Sequence, residues 1–445
     1  MGKRERLASI IVGITRWLSA RSDRVKLLSH MVVERLFLTD QMEMPSTRHR
    51  FPPEELAART EAFNEASERY FADYEDRTHL LGKPFSDRTK FARRLFDIGV
   101  LAHWLRLSPG EVVAELGAGT CWLPHLLNRF GCRTIAIDIS PTALEIGREL
   151  FTGDPHTNWD LDPQFIAYDG HHLPLPDASV DKVLLYDAFH HIPNQDEMLR
   201  ELSRILKPGG LVAMCEPGRE HGHSETSRLE MDEWGVLEND IYPEELGRRA
   251  RQCGFDQATV VPINLPLSVE IPTDRLRDFL RGRELRHYWS QWGQAIQDVT
   301  YLLLYKGTFV PTTRNPHLAR ARIEPQPTRL RVAPGQIPSL EVTLTNVGDT
   351  RWLHDLGGDA GHTRLGGHLH GSERGSPALD YDWYRGDLPR DVGPGEEVVL
   401  QVHLPPLDTP GQYRVVFDVV AEQVLWFANR DSIPAELHLE VDGTG

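Results

Sequence analysis

The stretch VVAELGAGT at residues 112–120 decides the fold that the sequence predicts. An apolar strand ends in an acidic residue, Glu115, and enters a glycine turn that leads into a helix. Glycines permit a tight turn and let the backbone approach a ligand closely, and the N-terminus of the helix offers free N–H groups to an anion. Asp138 ends the next predicted strand, where a carboxylate can accept hydrogen bonds from both ribose hydroxyls of an adenosine ligand.

Around this stretch, from about Asp87 to Phe309, short apolar strands alternate with amphipathic helices, a pattern typical of a parallel α/β sheet. The predicted strands are Val112–Leu116, Thr134–Asp138, Phe165–Tyr168, Val180–Tyr186, Gly210–Glu216, Gln257–Pro262 and Tyr301–Tyr305. The predicted helices are Leu123–Phe130, Pro141–Leu150, Asp196–Ile205 and Pro243–Cys253, followed by a helical insert at Thr273–Asp298.

Residues 1–86 are predicted to form an N-terminal helical region. Its first 40 residues carry a net charge of +4, whereas the whole chain carries −16. Two interpretations of residues 1–40 stay open: a helix docked on the protein, or a basic amphipathic segment lying on an anionic membrane surface. Residues 69–86 also have two interpretations, since their aromatic residues suit either a lid over a ligand or the packing face of a helix.

The composition excludes several classes of protein. There are 65 acidic and 49 basic residues among 445, so the chain lacks the basic surface that a general nucleic-acid binder needs. Four scattered cysteines favour a reduced, intracellular protein over a disulfide scaffold. No apolar run reaches the length that spans a bilayer. We therefore expect a cytoplasmic location, with contact at the inner face of the membrane left open for residues 1–40.

The last part of the chain is predicted to form a β domain. Residues 312–327 are rich in proline and are predicted as a linker, and residues 328–445 show alternating segments separated by Pro and Gly turns, as in a small antiparallel sandwich. The NVGDTRW segment at residues 346–352 resembles bacterial immunoglobulin-like domains. Trp352 and Trp426 are predicted core residues. The domain is predicted to bind saccharide, to form a homodimer or to dock a partner enzyme.

A dinucleotide site shares the layout around residues 112–120, but its GxGxxG fingerprint lacks a third glycine here. The stretch instead resembles class I S-adenosylmethionine-dependent methyltransferases of the methyltransferase type 11 kind. Four further segments resemble motifs of that family: YDG at 168–170, LPLPDASVD at 173–181, YDAFHHIPN at 186–194 and LKPGG at 206–210. The resemblance covers about residues 80–310. Cys121 departs from it, because the family has a third glycine there.

The resemblance implies a Rossmann-like, seven-stranded sheet over residues 87–311 and S-adenosyl-L-methionine as cofactor. It places Asp138 at the ribose and Asp169 at the adenine amino group. The donor-binding residues that it implies are Glu115, Gly117, Ala118, Gly119, Thr120, Asp138, Ile139, Asp169, Gly170 and Asp187.

Methyl transfer to oxygen benefits from a base that removes the proton of the acceptor. His190 and His191 follow the fourth strand and are the predicted bases, since imidazole titrates near neutral pH; one of them bracing the loop is the alternative. Glu216 is a third catalytic candidate. The predicted acceptor-binding residues are Tyr70, His221, His223 and Glu238. His221, His223, Glu238 and Asp240 carry atoms that could bind a divalent metal, but no metal is predicted, because their spacing matches no recognised ligand pattern.

The sequence therefore predicts a methyltransferase that acts on a small molecule or saccharide, with oxygen as the expected nucleophile. Two alternatives remain. The first is a scaffold protein that keeps the donor fold while its sandwich binds a glycan or a partner. The second is an enzyme that binds the same donor but catalyses another reaction, such as a cyclisation.

Overall fold

A computed structural model describes residues 53–73, 77–219, 221–263, 273–281, 297–354, 360–373, 375 and 377–443. The predictions for residues 1–40, and most of the predicted helical insert at Thr273–Asp298, lie outside the described residues. Among the helices that are described, none combines the length and the apolar character needed to cross a membrane.

Seven strands form one sheet in the N-terminal two thirds of the chain. They are β1 (Val112–Leu116), β2 (Arg133–Asp138), β3 (Gln164–Ala167), β4 (Val180–Tyr186), β5 (Leu206–Pro217), β6 (Gln257–Val260) and β7 (Val299–Tyr305). Their order is β3-β2-β1-β4-β5-β7-β6, and all pairs are parallel except the two made by β7. The carboxyl ends of β1, β2, β4 and β5 therefore meet at one edge, where an open α/β sheet binds its ligands.

Ten described helices accompany this sheet. They are α1 (Pro53–Ala57), α2 (Thr60–Ala72), α3 (Arg77–Leu81), α4 (Phe91–Leu105), α5 (Trp122–Phe130), α6 (Pro141–Gly153), α7 (Gln195–Ile205), α8 (Glu225–Trp234), α9 (Pro243–Gln252) and α10 (Leu276–Leu280). Alternate residues of β1 enter different cores: Ala114 packs with α7 and α9, and Val113 packs with α4 and α5. Both faces of the central strand are thus covered, as is usual for a parallel sheet.

The C-terminal region is all-β. Its strands are β8 (Ala321–Gln326), β9 (Arg329–Val332), β10 (Ser339–Asn346), β11 (Thr363–Gly371), β12 (Ala378–Asp387), β13 (Glu397–His403), β14 (Gly411–Ala421), β15 (Leu425–Trp426) and β16 (Ala435–Val441). They form two sheets, β13-β10-β8 and β12-β11-β14-β16-β9, whose inner side chains share one core. Trp352 is fully buried in that core and Trp426 is half-buried.

One boundary differs from the sequence-based expectation. Strand β8 lies inside residues 312–327, the segment predicted as a linker, and pairs along its whole length with β10. Its side chains alternate between buried and exposed positions. Pro325 suggested a loop, but β8 has a partner on one side only, and an edge strand tolerates proline. The β region therefore begins by Ala321.

Glu111 precedes β1, and burial raises the pKa of its carboxyl to about 7. A group whose pKa is higher in the folded than in the unfolded chain stabilises the fold at low pH and loses this contribution as pH rises. We therefore expect the free energy of unfolding to fall between about pH 4.5 and pH 7, by up to ~1.4 kcal/mol per pH unit from this group.

Glu111→Gln is expected to flatten this dependence, because the amide oxygen still accepts the hydrogen bond that Ser108 N donates to Glu111. Denaturant unfolding at about pH 5 and about pH 7, with wild type and variant side by side, measures the difference. Equal pH dependence in the two proteins would show that Glu111 titrates normally in the fold.

Candidate active site

The turn after β1 approaches the end of β4 closely. Gly117 and Gly119 have φ angles of +74° and +50°, a left-handed conformation that favours glycine. A Cβ atom built on Gly117 would lie 2.5 Å from the Cβ atom of Ala188. The glycine turn thus lies directly against the segment that carries His190 and His191.

Two side chains in this turn are buried without partners. Among the described residues, neither Glu115 Oε2 nor Thr120 Oγ1 has a hydrogen-bond partner, and both side chains are almost fully buried. Burial, reinforced by the nearby charge of Asp138, raises the pKa of Glu115 well above its usual range. Buried polar atoms are normally paired, so these two atoms suit a bound ligand that brings donors into the turn.

Asp138 lies at the end of β2, with 6% of its surface exposed. Its two carboxylate oxygens accept hydrogen bonds from Gly119 N at 2.7 Å and from Ser140 N at 2.9 Å. Burial raises the pKa of this carboxyl, and these N–H groups oppose the rise. A carboxylate has about four acceptor positions, so Asp138 can hold the glycine turn and still accept from a ligand.

Asp169 and Gly170 follow β3. Asp169 Oδ1 accepts hydrogen bonds from the backbone N–H groups of His171 and His172, each at 2.8 Å, and these bonds lower the pKa of Asp169. The carboxylate is exposed and its other oxygen, Oδ2, is not engaged by these two bonds. Gly170 has a φ of +88°, and a Cβ built there would lie 2.3 Å from Asn64 Nδ2.

Helix α2 lies across these ligand-binding segments. Asn64 Nδ2 donates to the carbonyl of Asp169 at 3.1 Å. One turn later, Glu68 accepts hydrogen bonds from the hydroxyls of Ser140 and Thr142 at the start of α6. Phe71 reaches the glycine turn, with its ring 3.6 Å from a Cβ built on Gly119. The helix therefore covers the region between Asp169 and Gly119. Of these contacts, only that of Phe71 comes from residues 69–86, the segment with the lid interpretation.

Tyr70 was predicted to bind the acceptor, and its ring packs edge-on against Trp234 of α8, with the centroids 5.5 Å apart. Asn64 and Glu68 were not predicted as site residues, whereas Phe71 belongs to the aromatic residues of the segment with the lid interpretation. Their spacing of four and three residues places them on one face of a helix, which is the only signal the sequence offers.

The predicted bases lie in a short 3₁₀ turn after β4. Glu216 of β5 is buried and accepts hydrogen bonds from the backbone N–H groups of Ala188, Phe189 and His190. Its Oε2 lies 2.8 Å from His190 Nδ1. Burial raises the pKa of Glu216 to about 8 and lowers that of His190 to about 3. Glu216 thus positions the histidine turn from within the protein interior.

His191 differs from His190 in its exposure and in its partner. Its side chain is 39% exposed, against 2% for His190. His191 Nδ1 lies 2.6 Å from the carbonyl oxygen of Leu237, and a carbonyl only accepts. The proton is therefore on Nδ1, which leaves the lone pair of Nε2 free to accept a proton.

The predicted acceptor residues after β5 occupy the same edge. His221 Nε2 lies 2.6 Å from Glu238 Oε2, and this pairing raises the pKa of His221 against the effect of burial. His223 is exposed, with its Nε2 3.9 Å from Asp240 Oδ2. Asp187, the residue directly after β4, is exposed, and the nearby histidines His190 and His191 lower its pKa. The structure thus brings the predicted donor and acceptor residues together.

Comparison with known proteins finds a family match and several relatives for the central part of the chain. Residues 114–214 match the family described as a methyltransferase domain. Demethylmenaquinone methyltransferase of Tropheryma whipplei (strain Twist) is 33% identical over 122 residues, which make up 26% of this chain and 48% of that protein. Sterol 24-C-methyltransferase of Eremothecium gossypii is 27% identical over 186 residues, or 37% of this chain and 48% of that protein.

A solved structure of Haemonchus contortus phosphoethanolamine N-methyltransferase 2 with S-adenosyl-L-methionine matches with 17% identity and a TM-score of 0.36, over 58% of this chain and 60% of that one. The chain spans about half the length of the two curated relatives. The family match confirms the predicted S-adenosylmethionine-dependent methyltransferase domain for the segment that carries Glu115, Asp138, Asp169 and His191.

Proposed function

We propose that this protein is an S-adenosylmethionine-dependent O-methyltransferase for a hydroxylated small molecule or saccharide. One observation carries the proposal: the glycine turn of the donor site touches Ala188, three residues before His191. The turn that carries His191 therefore lies beside the glycine turn of the methyltransferase domain. Action in the cytoplasm belongs to this proposal, as does a dimer or partner-enzyme contact through the β region.

The residues of the donor site fit the parts of S-adenosylmethionine. Asp138 would accept from the ribose hydroxyls, Asp169 from the adenine amino group, and Glu115 and Thr120 would pair with polar groups of the methionine part. The N-terminus of α5 offers N–H groups to its carboxylate. When bound, the donor supplies a methyl group on a positively charged sulfur.

The acceptor would lie between the end of β4 and the segment after β5. His191 Nε2 takes the proton of the attacking hydroxyl, and Glu216 keeps the histidine turn in place. The relatives named above act on demethylmenaquinone and on a sterol, whereas ionisable side chains surround this acceptor region. His191, His221, His223 and Glu238 suit an acceptor with several hydroxyl groups.

Replacing His191 with asparagine is expected to lower kcat by roughly 100-fold or more, because general-base catalysis contributes about 10²–10⁴. The dissociation constant of S-adenosylmethionine is expected to stay within about twofold of wild type, since the side chain lies outside the donor turn. The measurement is release of S-adenosylhomocysteine with free sugars, nucleotide-activated sugars and polyhydroxylated small molecules, together with calorimetric titration of the donor.

His156→Asn is the matched control, because His156 is exposed and pairs only with Asp154 at the end of α6 among the described contacts. Undiminished turnover in His191→Asn would exclude His191 as the base. Failure of the folded wild-type protein to bind S-adenosylmethionine would exclude the enzyme and favour the scaffold interpretation.

A further inference from the structure

Three side chains with metal-binding atoms converge beside the histidine turn. One nitrogen each of His190 and His221 and one oxygen of Glu238 all lie within 4.8 Å of one another. They come from three separate segments: the turn after β4, the turn after β5 and the stretch before α9. We propose that these three residues form a binding site for a divalent transition metal, with positions left open for an oxygen of the acceptor.

The distances suit a shared cation. Glu238 Oε2 lies 2.6 Å from His221 Nε2 and 3.7 Å from His190 Nε2. Ligand atoms that are each about 2.0–2.2 Å from a zinc ion in tetrahedral geometry are separated by roughly 3.4 Å. The observed distances lie on both sides of this value, so small side-chain rotations would place all three atoms around one ion.

The backbone holds the segments in this arrangement. Asn239 N donates to the carbonyl of His190, and His191 Nδ1 donates to the carbonyl of Leu237. These two hydrogen bonds fix both neighbours of Glu238 against the histidine turn. The convergence is therefore part of the fold and does not depend on the side chains of the three proposed ligands.

A second observation supports a cation at this place. Glu238 is 4% exposed, and its Oε1 has no hydrogen-bond partner among the described residues. A buried carboxylate oxygen without a donor is costly. A positive ion at the site would pair with this oxygen.

The surroundings of His190 resemble those of a metal ligand. Its Nδ1 is held by Glu216 Oε2 at 2.8 Å, while its Nε2 faces His221 and Glu238. Metal-ligating histidines usually donate their second nitrogen to a carboxylate or carbonyl in this way, which fixes the ring and its tautomer. Glu216 would thus be the supporting carboxylate and His190 the ligand.

The geometry selects a different set of ligands from His221, His223, Glu238 and Asp240, the four candidates that the sequence offers. Asp240 already accepts hydrogen bonds from Gly222 N at 2.9 Å and from the Tyr242 hydroxyl at 3.3 Å. His223 faces only this engaged carboxylate and is itself exposed. We therefore exclude His223 and Asp240 from the metal site, and His190 takes their place.

Two imidazoles and one carboxylate leave coordination positions open, as in catalytic rather than structural metal sites. The role of the ion rests on the proposed function. An acceptor hydroxyl bound to the metal ionises more readily: its O–H bond breaks, the proton passes to His191 Nε2, and the electron pair stays on the oxygen. The rings of His190 and His191 are 3.9 Å apart, so base and metal would serve the same hydroxyl.

Titration of the metal-free full-length protein with Co²⁺ tests the site, since cobalt bound to nitrogen ligands absorbs visible light and zinc displaces it. We expect one equivalent to bind, with affinity lowered by roughly 100-fold or more in Glu238→Gln and in His221→Asn. His223→Asn is the matched control and should bind Co²⁺ as wild type does. Circular dichroism establishes that each variant is folded, and the conservative Glu238→Gln replacement preserves the shape of the side chain.

The two proposals can fail separately. If the folded wild-type protein binds S-adenosylmethionine but gives no cobalt spectrum, the metal site is wrong and the methyltransferase proposal stands. Binding of Co²⁺ with equal affinity by wild type and Glu238→Gln would likewise overturn the ligand assignment. A cobalt spectrum without any binding of S-adenosylmethionine would support the metal site but exclude the proposed function.

Discussion

Replacing Asp138 with alanine is expected to weaken S-adenosylmethionine binding by about 100-fold or more. The carboxylate would form two hydrogen bonds to the ribose, and each charge-assisted bond contributes about 1.5–3 kcal/mol, so the loss of both exceeds the ~2.7 kcal/mol that corresponds to a 100-fold change. The variant also loses the acceptor for Gly119 N, which leaves the glycine turn less well fixed. Calorimetric titration of the folded variant measures the effect.

Asp160→Ala is the matched control for this experiment. Asp160 is an exposed aspartate between α6 and β3 whose carboxylate has no described hydrogen bond, so the same change of charge should leave donor binding unaltered. Asp138→Asn separates the contribution of the negative charge from that of the hydrogen bond to Ser140 N, since the amide loses the charge but keeps an acceptor for this N–H group. Donor binding by Asp138→Ala equal to that of wild type would contradict the placement of the ribose.

The positions of the proposed donor-site residues in the fold could be predicted from the sequence because these residues follow local rules. Glu115 and Asp138 end apolar strands, and Gly117 and Gly119 mark a turn, so a short window of sequence contains each signal. The carboxyl ends of parallel strands meet at one edge, which brings these windows together. Strand and turn patterns therefore predict where Glu115, Gly117, Gly119 and Asp138 lie, whereas their roles toward the donor are what the family resemblance implies.

The covering of that site could not be predicted in the same way. The contacts of Glu68 with Ser140 and Thr142 join residues more than seventy positions apart. The sequence of neither segment indicates that the two are in contact. The cluster of His190, His221 and Glu238 has the same origin, because its ligands come from three loops with no fixed spacing. Such sites depend on loop paths, which short patterns do not encode.

Cys121 illustrates a departure from the family pattern that only the structure explains. It stands where the family has a third glycine, and it adopts the left-handed conformation, with a φ of 57°. The chain thus keeps the backbone path of a glycine at the cost of strain, about 1–3 kcal/mol for such a residue. Gly147 of α6 leaves the space that the cysteine side chain fills.

Replacing Gly147 with alanine is therefore expected to destabilise the protein by about 1–3 kcal/mol, the range for overpacking a closed core. A Cβ on Gly147 would lie 2.4 Å from Cys121 Sγ and 2.7 Å from Cys121 Cβ, and the second atom is fixed to the strained backbone. Thermal unfolding should show a lower Tm, by about 2–4 °C for each kcal/mol in a domain of this size. Donor binding should weaken too, because Cys121 directly follows the glycine turn.

Gly153→Ala is the control in the same helix, since nothing lies within 4 Å of a Cβ built on Gly153; we expect its Tm to equal or exceed that of wild type. Cys121→Gly combined with Gly147→Ala should recover most of the lost stability, because the glycine removes both atoms that the new methyl group meets. A double-mutant cycle gives this coupling as an interaction free energy. Additive effects of the two substitutions would mean that Gly147 and Cys121 do not compete for the same space. The left-handed backbone conformation of Cys121 would then need another explanation.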